Sequence, residues 1–445
     1  MSHYTEEQLS EYVLRRESTT DAQSIEQHLA HCAECRKALE LVATFDDALR
    51  DPLSWQIADS MVVRREAPPE LLAQARAIAA EDRYAREVLL PIVESPIRFS
   101  EARVGDDPRF RTLAVIRLLC SIANKTHEQQ PQYGLVLADA ALSICEKLPE
   151  PAKSKSAWFV GTAWKERANA LRYLGRFRDA EAALDDAEEA FASDERPEPF
   201  DLAIVAYVRA TVYWELERFE DAVTAARFAA ETFCVYGDTT RYLSALMAEG
   251  AGYYSANRES DAAAIFERVV TLARSSGEAG ILARALGNAG NCYARLQDYD
   301  KASSYCIEAL AVLDELDFPT ESARLSWKMA ALQVARGAFE EGLAGLDQGR
   351  LRLIQLGMAN DAALATLDLV AALLALDRPD RVPALCREIT VTFSSEGMMR
   401  SAKKALAYLS EAVASGQATP EKVRHVRGFL ERLSAHPQEE FQQIQ

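Results

Sequence analysis

The sequence predicts an almost wholly α-helical protein, and three observations carry that prediction. Apolar residues recur every three to four positions, as in LAVIRLLCSIAN from Leu113 and DLAIVAYVRATVYWEL from Asp201, while alternating strand-like runs are nearly absent. Ala, Leu, Glu and Arg, all ready helix formers, dominate the composition. A pattern of about 40 residues then repeats down much of the chain. With 445 residues, 49% of them hydrophobic, there is ample apolar material for a sizeable core.

The first element is a head over residues 1–50. Its residues 25–40 read IEQHLAHCAECRKALE, so His28, Cys32 and Cys35 form H-x3-C-x2-C. A tetrahedral zinc ion takes four donors, and C-x2-C is a compact way to present two thiolates. His28 falls at the end of a helix expected to start near Thr20, and the two cysteines fall where a new helix begins. His3, 25 residues before His28, is the candidate fourth ligand. A head this small is also near the size at which a metal is needed to hold a fold. A C-x2-C can arise by chance, and a histidine at a helix end is often only solvated. The other six cysteines, at 120, 145, 234, 292, 306 and 386, fall on apolar helical faces and are expected in the core. Eight cysteines are too sparse for a disulfide scaffold, which suits a reducing compartment.

The head resembles the zinc-binding anti-sigma domain, in which an upstream His or Cys precedes H-x3-C-x2-C by about 25 residues. Glu26-Gln27-His28-Leu29 and Cys32-Ala33-Glu34-Cys35-Arg36 match that pattern, as does the Leu9/Tyr12 pair. In the family the ligand is the histidine four before the first cysteine, which implies His28 and leaves His31 exposed. The resemblance implies a Zn2+ cofactor. It also implies that the helix Glu6–Arg16 and a following long helix clamp a sigma factor of the extracytoplasmic-function type.

The second element, residues 51–107, is punctuated by Pro52, Pro68, Pro69, Pro91 and Pro96. It predicts a linker with one long bridging helix over Pro69–Val93.

The third element is an array over residues 108–435. Small anchors at Ala138, Ala180, Ala222, Ala262, Ala302 and Gly342 are spaced 42, 42, 40, 40 and 40 residues apart. Three residues before them stand Leu135, Phe177, Phe219, Glu259, Tyr299 and Phe339. Small residues let paired helices approach closely, and the large ones fill the space between pairs. Prolines at 131, 199, 319, 379 and 420 mark expected helix starts. A unit around Val382, Cys386 and Ile389 continues the phase, and a degenerate one follows Pro420. Residues 436–445 form a C-terminal tail.

This register resembles the tetratricopeptide repeat, with Gly175-Arg176-Phe177 and Gly337-Ala338-Phe339 matching its G-x-[FY] signature. The resemblance implies an α-solenoid whose helices are nearly a turn longer than usual. It also implies a binding groove lined by the first helix of each hairpin. The residues placed there are Lys165, Asn169, Arg172, Tyr207, Trp214, Met247, Tyr254, Arg284, Asn291, Arg324 and Trp327. Aromatics and arginines together suit a peptide or acidic ligand, although any one of these side chains is more often a solvated or packing residue. Only Lys165 and Asn169 match the clamp of chaperone-binding members; Val208, Ser244 and Ala248 do not, which disfavours a chaperone C-terminus.

Other classes are disfavoured. The 68 acidic residues outnumber the 50 basic ones and give a net charge of −18, so nucleic acid is not an expected partner. No P-loop, dinucleotide fingerprint, H-E-x-x-H or nucleophile elbow is present, and His31, His127, His425 and His436 show no evident partners. An enzyme is therefore not expected. No secretory signal or 18-residue apolar run is visible, so a cytoplasmic location without a membrane span is expected. The reading is a cytoplasmic regulatory protein-binding module: a zinc head that sequesters a sigma factor, and an array that senses a peptide or protein. The alternative is a scaffold for protein assembly whose head is only a structural cap.

Overall fold

The structure is a computed structural model that describes residues 22–39, 69–150, 152–194, 197–394, 400–433 and 439–444. The regular structure among those residues is all helical, and none of them is in a strand. The chain forms two compact units. One comprises Met1–Ile122 and Asp139–Phe159, the other Ala123–Ala138 and Val160–Gln445.

The first unit begins, among described residues, with α1 (Ala22–His31), followed after Cys32 by helical residues 33–39. The long helix α2 (Pro69–Val93) has the bounds expected from the prolines, with Pro91 inside its last turn. Pro69 opens it, where a missing N–H costs nothing. Ala85, Leu89 and Val93, spaced four apart, bury its C-terminal half. There Asp82 pairs with Arg117, and the Tyr84 hydroxyl donates to the Arg109 carbonyl at 3.0 Å. The N-terminal half differs: residues 72–77 are all exposed, Leu72 among them at 46%. The short α3 (Pro96–Glu101) follows, and Asp107 then caps the turn Pro108–Phe110 by accepting from the Arg109 N–H at 2.9 Å. The helices α4 (Leu113–Thr126) and α5 (Pro131–Glu146) contribute residues to both units.

The second unit continues as helical hairpins. Its helices are α6 (Ala157–Tyr173, whose first three residues belong to the first unit), α7 (Phe177–Ala192), α8 (Pro199–Glu215), α9 (Phe219–Val235), α10 (Thr239–Ser255) and α11 (Glu259–Ser276). After these come α12 (Ala279–Arg295), α13 (Tyr299–Glu315), α14 (Pro319–Ala335), α15 (Phe339–Gln355) and α16 (Ala359–Ala375). The last are α17 (Val382–Ser394), α18 (Arg400–Ala414) and α19 (Pro420–Leu433). Each second helix from α9 to α15 packs against its own first helix and the next one, and α8, α10 and α12 also touch in turn. The first helices therefore form a layer of their own.

The repeat is written into the turns. Within successive hairpins, Gly175, Glu217, Asn257, Gln297, Gly337 and Asp377 take positive φ. Between hairpins, Gly237, Gly277, Asp317 and Gly357 do the same. A left-handed residue after a helix lets the next N–H return to a carbonyl left over at the helix end. The bonds Arg218 N–H to Tyr213 O, Arg258 N–H to Tyr253 O and Asp298 N–H to Tyr293 O, each 2.9 Å, repeat that closure.

Packing follows the small-residue register. The anchors Ala180, Ala222, Ala262 and Ala302 are all buried. Gly250 of α10 lies so close to the Phe266 ring of α11 that an added Cβ would sit 2.7 Å from it. Gly342 brings α15 onto the backbone of α14, with Val334 N 2.7 Å from the position of a Cβ. Beside this close pair a cleft of about 840 Å³ opens over α14, lined by Leu310, Leu313, Phe318, Met329 and Leu351. Five of the six cysteines expected in the core are buried, and burial pushes the thiols of Cys145 and Cys292 up to about 12. Cys234 is the exception and is exposed. It follows the core residue Phe233 by one position, which turns it about 100° off the buried face.

Candidate metal centre and binding face

The head site is built by a helix break. α1 ends at His31, and the Cys32 N–H still returns to the His28 carbonyl at 2.9 Å, so Cys32 stays one turn above His28. Cys32 is the single non-helical residue before the chain re-enters a helix, which brings Cys35 back over the same spot. Ligand atoms of His28, Cys32 and Cys35 all lie within 4.8 Å of one another, and His28 Nε2 is 3.2 Å from Cys35 Sγ. Cys35 is 2% exposed and packs with Ile25 and Leu29. Arg36 reaches back across the break, its Nη1 donating to the Leu29 and Ala30 carbonyls at 2.6 and 3.0 Å. A cation there satisfies helix-end carbonyls and suits the negative end of the dipole.

This donor set fits zinc. Bonds of about 2.0–2.3 Å at tetrahedral angles place ligand atoms roughly 3.3–3.8 Å apart, and the His28 Nε2 to Cys35 Sγ separation of 3.2 Å is near that range. Two thiolates and an imidazole are the donors such an ion prefers. His31 is exposed and stands outside the group, as expected. His3, and the expected helix Glu6–Arg16, lie outside the described residues.

Of the eleven residues assigned to the array's binding face, Met247 is half-buried and packs against the core, and the other ten divide into two sets. Several are already engaged. Lys165 Nζ pairs with Glu166, Arg324 Nε donates to Asp361 at 2.8 Å, and the Trp214 indole donates to Ser255 Oγ at 2.8 Å. Trp327, placed on the groove from sequence, is instead 6% exposed and donates its indole N–H to Asp368 at 3.0 Å. Its backbone lies under Gly349, so the close helix approach draws it into the core. The Tyr254 ring is covered by Arg295, with Cζ 3.8 Å from its centroid. The second set is Asn169, Arg172, Tyr207, Arg284 and Asn291. Among the described residues their side-chain polar groups make no hydrogen bond or ion pair. All but Arg284 are half-buried, and Arg172 Nε is fully buried without a partner. Water can satisfy polar groups exposed to this degree, so Arg172 Nε alone among them is a buried group that lacks a partner among the described residues. Burial pushes the Tyr207 phenol above its ordinary value, and the nearby Arg172 and Arg284 guanidinium groups oppose that rise.

A polar centre that the sequence did not reveal lies at the start of the second unit. His127 has a partner after all: its Nε2 is 2.8 Å from Glu166 Oε2, and both residues are 2% exposed. Asn124 Nδ2 donates to the same carboxylate at 3.3 Å, and Lys165 closes the group. Burial alone would raise the Glu166 pKa, but Lys165 and the His127 hydrogen bond outweigh it and hold the carboxyl below its usual value. The partners are 39 residues apart in sequence, about one repeat, which is why neither residue signalled the other.

Comparison with known proteins agrees with both halves. Residues 5–36 match the family described as "Putative zinc-finger", a span that holds His28, Cys32 and Cys35 and excludes His3. No curated protein matches the sequence. The structure is similar to the apo form of the quorum sensor NprR from B. thuringiensis, with a TM-score of 0.51 and 14% identity over 76% of this chain and 99% of that one. It is also similar to a signal-transduction ATPase with a tetratricopeptide repeat sensor from Pyrococcus horikoshii. There the TM-score is 0.51 and the identity 15%, over 78% of this chain and 53% of the ATPase. The chain thus carries a segment that matches a zinc-finger family, followed by a helical array similar in fold to proteins with tetratricopeptide-type repeats. No helix among the described residues is long and apolar enough to cross a membrane.

Proposed function

We propose that this chain is a regulatory protein-binding protein of the bacterial cytoplasm. Its zinc-pinned head holds a sigma factor of the extracytoplasmic-function type, and its helical array receives a peptide or protein signal. The observation that carries this reading is the convergence of His28, Cys32 and Cys35 within a matched zinc-finger segment, followed by α2 with an exposed N-terminal half. When bound, the zinc ion supplies cross-linking between α1 and the residues after it, which fixes a segment too small to hold itself. His28, Cys32 and Cys35 hold the ion, and Arg36 fixes the break between the helices. Leu72 and its neighbours on α2 then offer apolar surface to a partner.

A second reading keeps the array as a scaffold and makes the head a cap. It is favoured by the C-terminal half of α2, where Ala85, Leu89 and Val93 are spent on packing within their own unit. Affinity capture from the source cell's lysate separates the two, using wild type and the Cys32→Ala, Cys35→Ala double variant. Recovery of a sigma factor by wild type alone is the expected result. A zinc-loaded wild type that recovers none, while both forms hold the same other proteins, would overturn sequestration and leave the scaffold.

A further inference from the structure

One hairpin of the array departs from the rule that large side chains fill the space beside the small anchors. Nine residues before Ala222, Ala262, Ala302 and Gly342 stand Tyr213, Tyr253 and Tyr293, and then Gln333. Sixteen before the last three anchors stand Leu246, Leu286 and then Ser326, and three after them stand Ile265, Tyr305 and then Gly345. In the hairpin of α12 and α13 these positions are filled. The Tyr293 and Tyr305 rings stack with centroids 5.6 Å apart, and both hydroxyls donate to Glu267 Oε1, at 2.7 and 2.8 Å. Leu286 is fully buried. One repeat later Gln333, Ser326 and Gly345 instead line the cleft of about 840 Å³ over α14. Gly345 has no room to be refilled, since a Cβ there would lie 2.8 Å from Ala330 Cβ. Side chains that border such a gap lose the contacts that stacked rings supply in the hairpin before.

The cleft also has its own side of the array. Ser322, Ser326, Met329 and Gln333 succeed one another on α14 at intervals of four, three and four, so they share a face. Arg324 and Lys328, each two residues on, are turned about 200° from it. The cleft therefore opens opposite the groove face on which Arg324 stands. Leu310, Leu313, Phe318, Met329 and Leu351 give it apolar walls, with Phe318 and Leu351 each 45% exposed. Gln333, Gln348 and Gln355 add amides, which bond a hydroxyl or a carbonyl without requiring charge. Asp314 and Asp317 outnumber Arg352 on the lining, and the chain carries −18 overall, so an anion is disfavoured.

We propose that the cleft between α13, α14 and α15 binds a flat, uncharged aromatic small molecule, whose rings take the place that Tyr293 and Tyr305 fill one repeat earlier. The volume is that of a pocket for a compound of several rings. A hydroxyl or carbonyl on the rings meets the glutamine amides. The site is independent of sigma-factor capture by the head and of peptide binding on the opposite face.

The test is titration of the full-length protein with N-phenyl-1-naphthylamine, a neutral dye that brightens in apolar surroundings. Wild type should bind it saturably. Ser326→Leu and Gln333→Tyr restore the residues of the preceding hairpins, so both should keep full helicity, and each should weaken the dye at least roughly tenfold. Two variants are used so that misfolding of one leaves the other to decide. Leu72→Ser, on the exposed surface of α2, should leave binding unchanged. 2-Naphthol should displace the dye, while 1-decanol, with as many carbons but no ring, should not. Dye that fails to saturate, or that the folded filled variants bind as wild type does, would overturn the site. Equal displacement by 1-decanol would overturn the aromatic preference in favour of an alkyl chain. A wild-type dimer in sedimentation that excludes the dye, and that either filled variant dissociates, would give the cleft to a second copy and overturn the proposal.

Discussion

Replacing Gly250 by alanine tests whether the hairpins are held by close helix approach. A Cβ there would lie 2.7 Å from Phe266 Cε1 and 2.8 Å from Cζ, well inside normal contact. Phe266 is 1% exposed, so its ring has no solvent to retreat into. Alanine gains about 1 kcal/mol over glycine in helix propensity. Overpacking a well-filled site costs about 1–3 kcal/mol, and a flat ring held on all sides places this case toward the upper end. The expected net effect is a loss of about 1–2 kcal/mol, or a 5- to 30-fold rise in local opening. A solenoid unfolds in sections, so the assay is native-state hydrogen exchange read at α10 and α11 rather than a single melting point. Gly280 is the internal control, because a Cβ there meets nothing within 4 Å, and Gly280→Ala should raise protection by up to about 1 kcal/mol. Adding Phe266→Leu to Gly250→Ala should recover part of the loss, so the pair should be non-additive. Protection in Gly250→Ala at or above wild type would refute the reasoning.

Further predictions concern the other sites. Cys32→Ala with Cys35→Ala should lower zinc from about one ion per chain to none by elemental analysis, with array helicity unchanged by circular dichroism; retained zinc would sink the proposed centre. Glu166→Gln should cost about 1–3 kcal/mol at neutral pH. Because the folded Glu166 pKa lies below its usual 4.5, its stabilisation is complete above that value and drains away as pH falls through the folded one. The urea midpoints of wild type and Glu166→Gln should therefore converge on acidification, and parallel pH profiles would contradict the assigned ionisation. Gln297 holds a φ of 62°, so Gln297→Gly should stabilise by up to about 1 kcal/mol, whereas Gly337→Gln at φ 92° should destabilise. Equal signs in a denaturant titration would argue against left-handed caps at these turns.

What the sequence disclosed depended on distance along the chain. Local signals were complete. Pro199, Pro319 and Pro420 open helices, and Pro69–Val93 is a single helix, because a proline acts on its own turn. The 40-residue phase located helix starts at Phe219, Glu259, Tyr299 and Phe339. Signals carried between repeats were hidden. Trp327 looks like a groove aromatic until Asp368, 41 residues on, takes its N–H. His127 and Glu166 are likewise joined only by stacking one repeat on the next. The exposure of Cys234 was readable in principle, from its place beside Phe233 on the helical wheel. At the zinc site, three ligands within eight residues were legible because one helix break brings them together.

The left-handed turns also bear on how such a protein changes length. Gly237 and Gly277 have φ of 72° and 75°, and each is followed by an acidic residue and then a new first helix. Removing residues 239–278 would join Asp238 to Ala279 in the same backbone geometry that Glu278 now supplies. The shortened chain should keep its zinc and the exchange protection of α14 and α16; loss of both would show that the units are not interchangeable. On this view duplication or loss of DNA in steps of 120 base pairs would lengthen or shorten the array by whole links. The head could then be inherited unchanged while the length of the array varied among descendants.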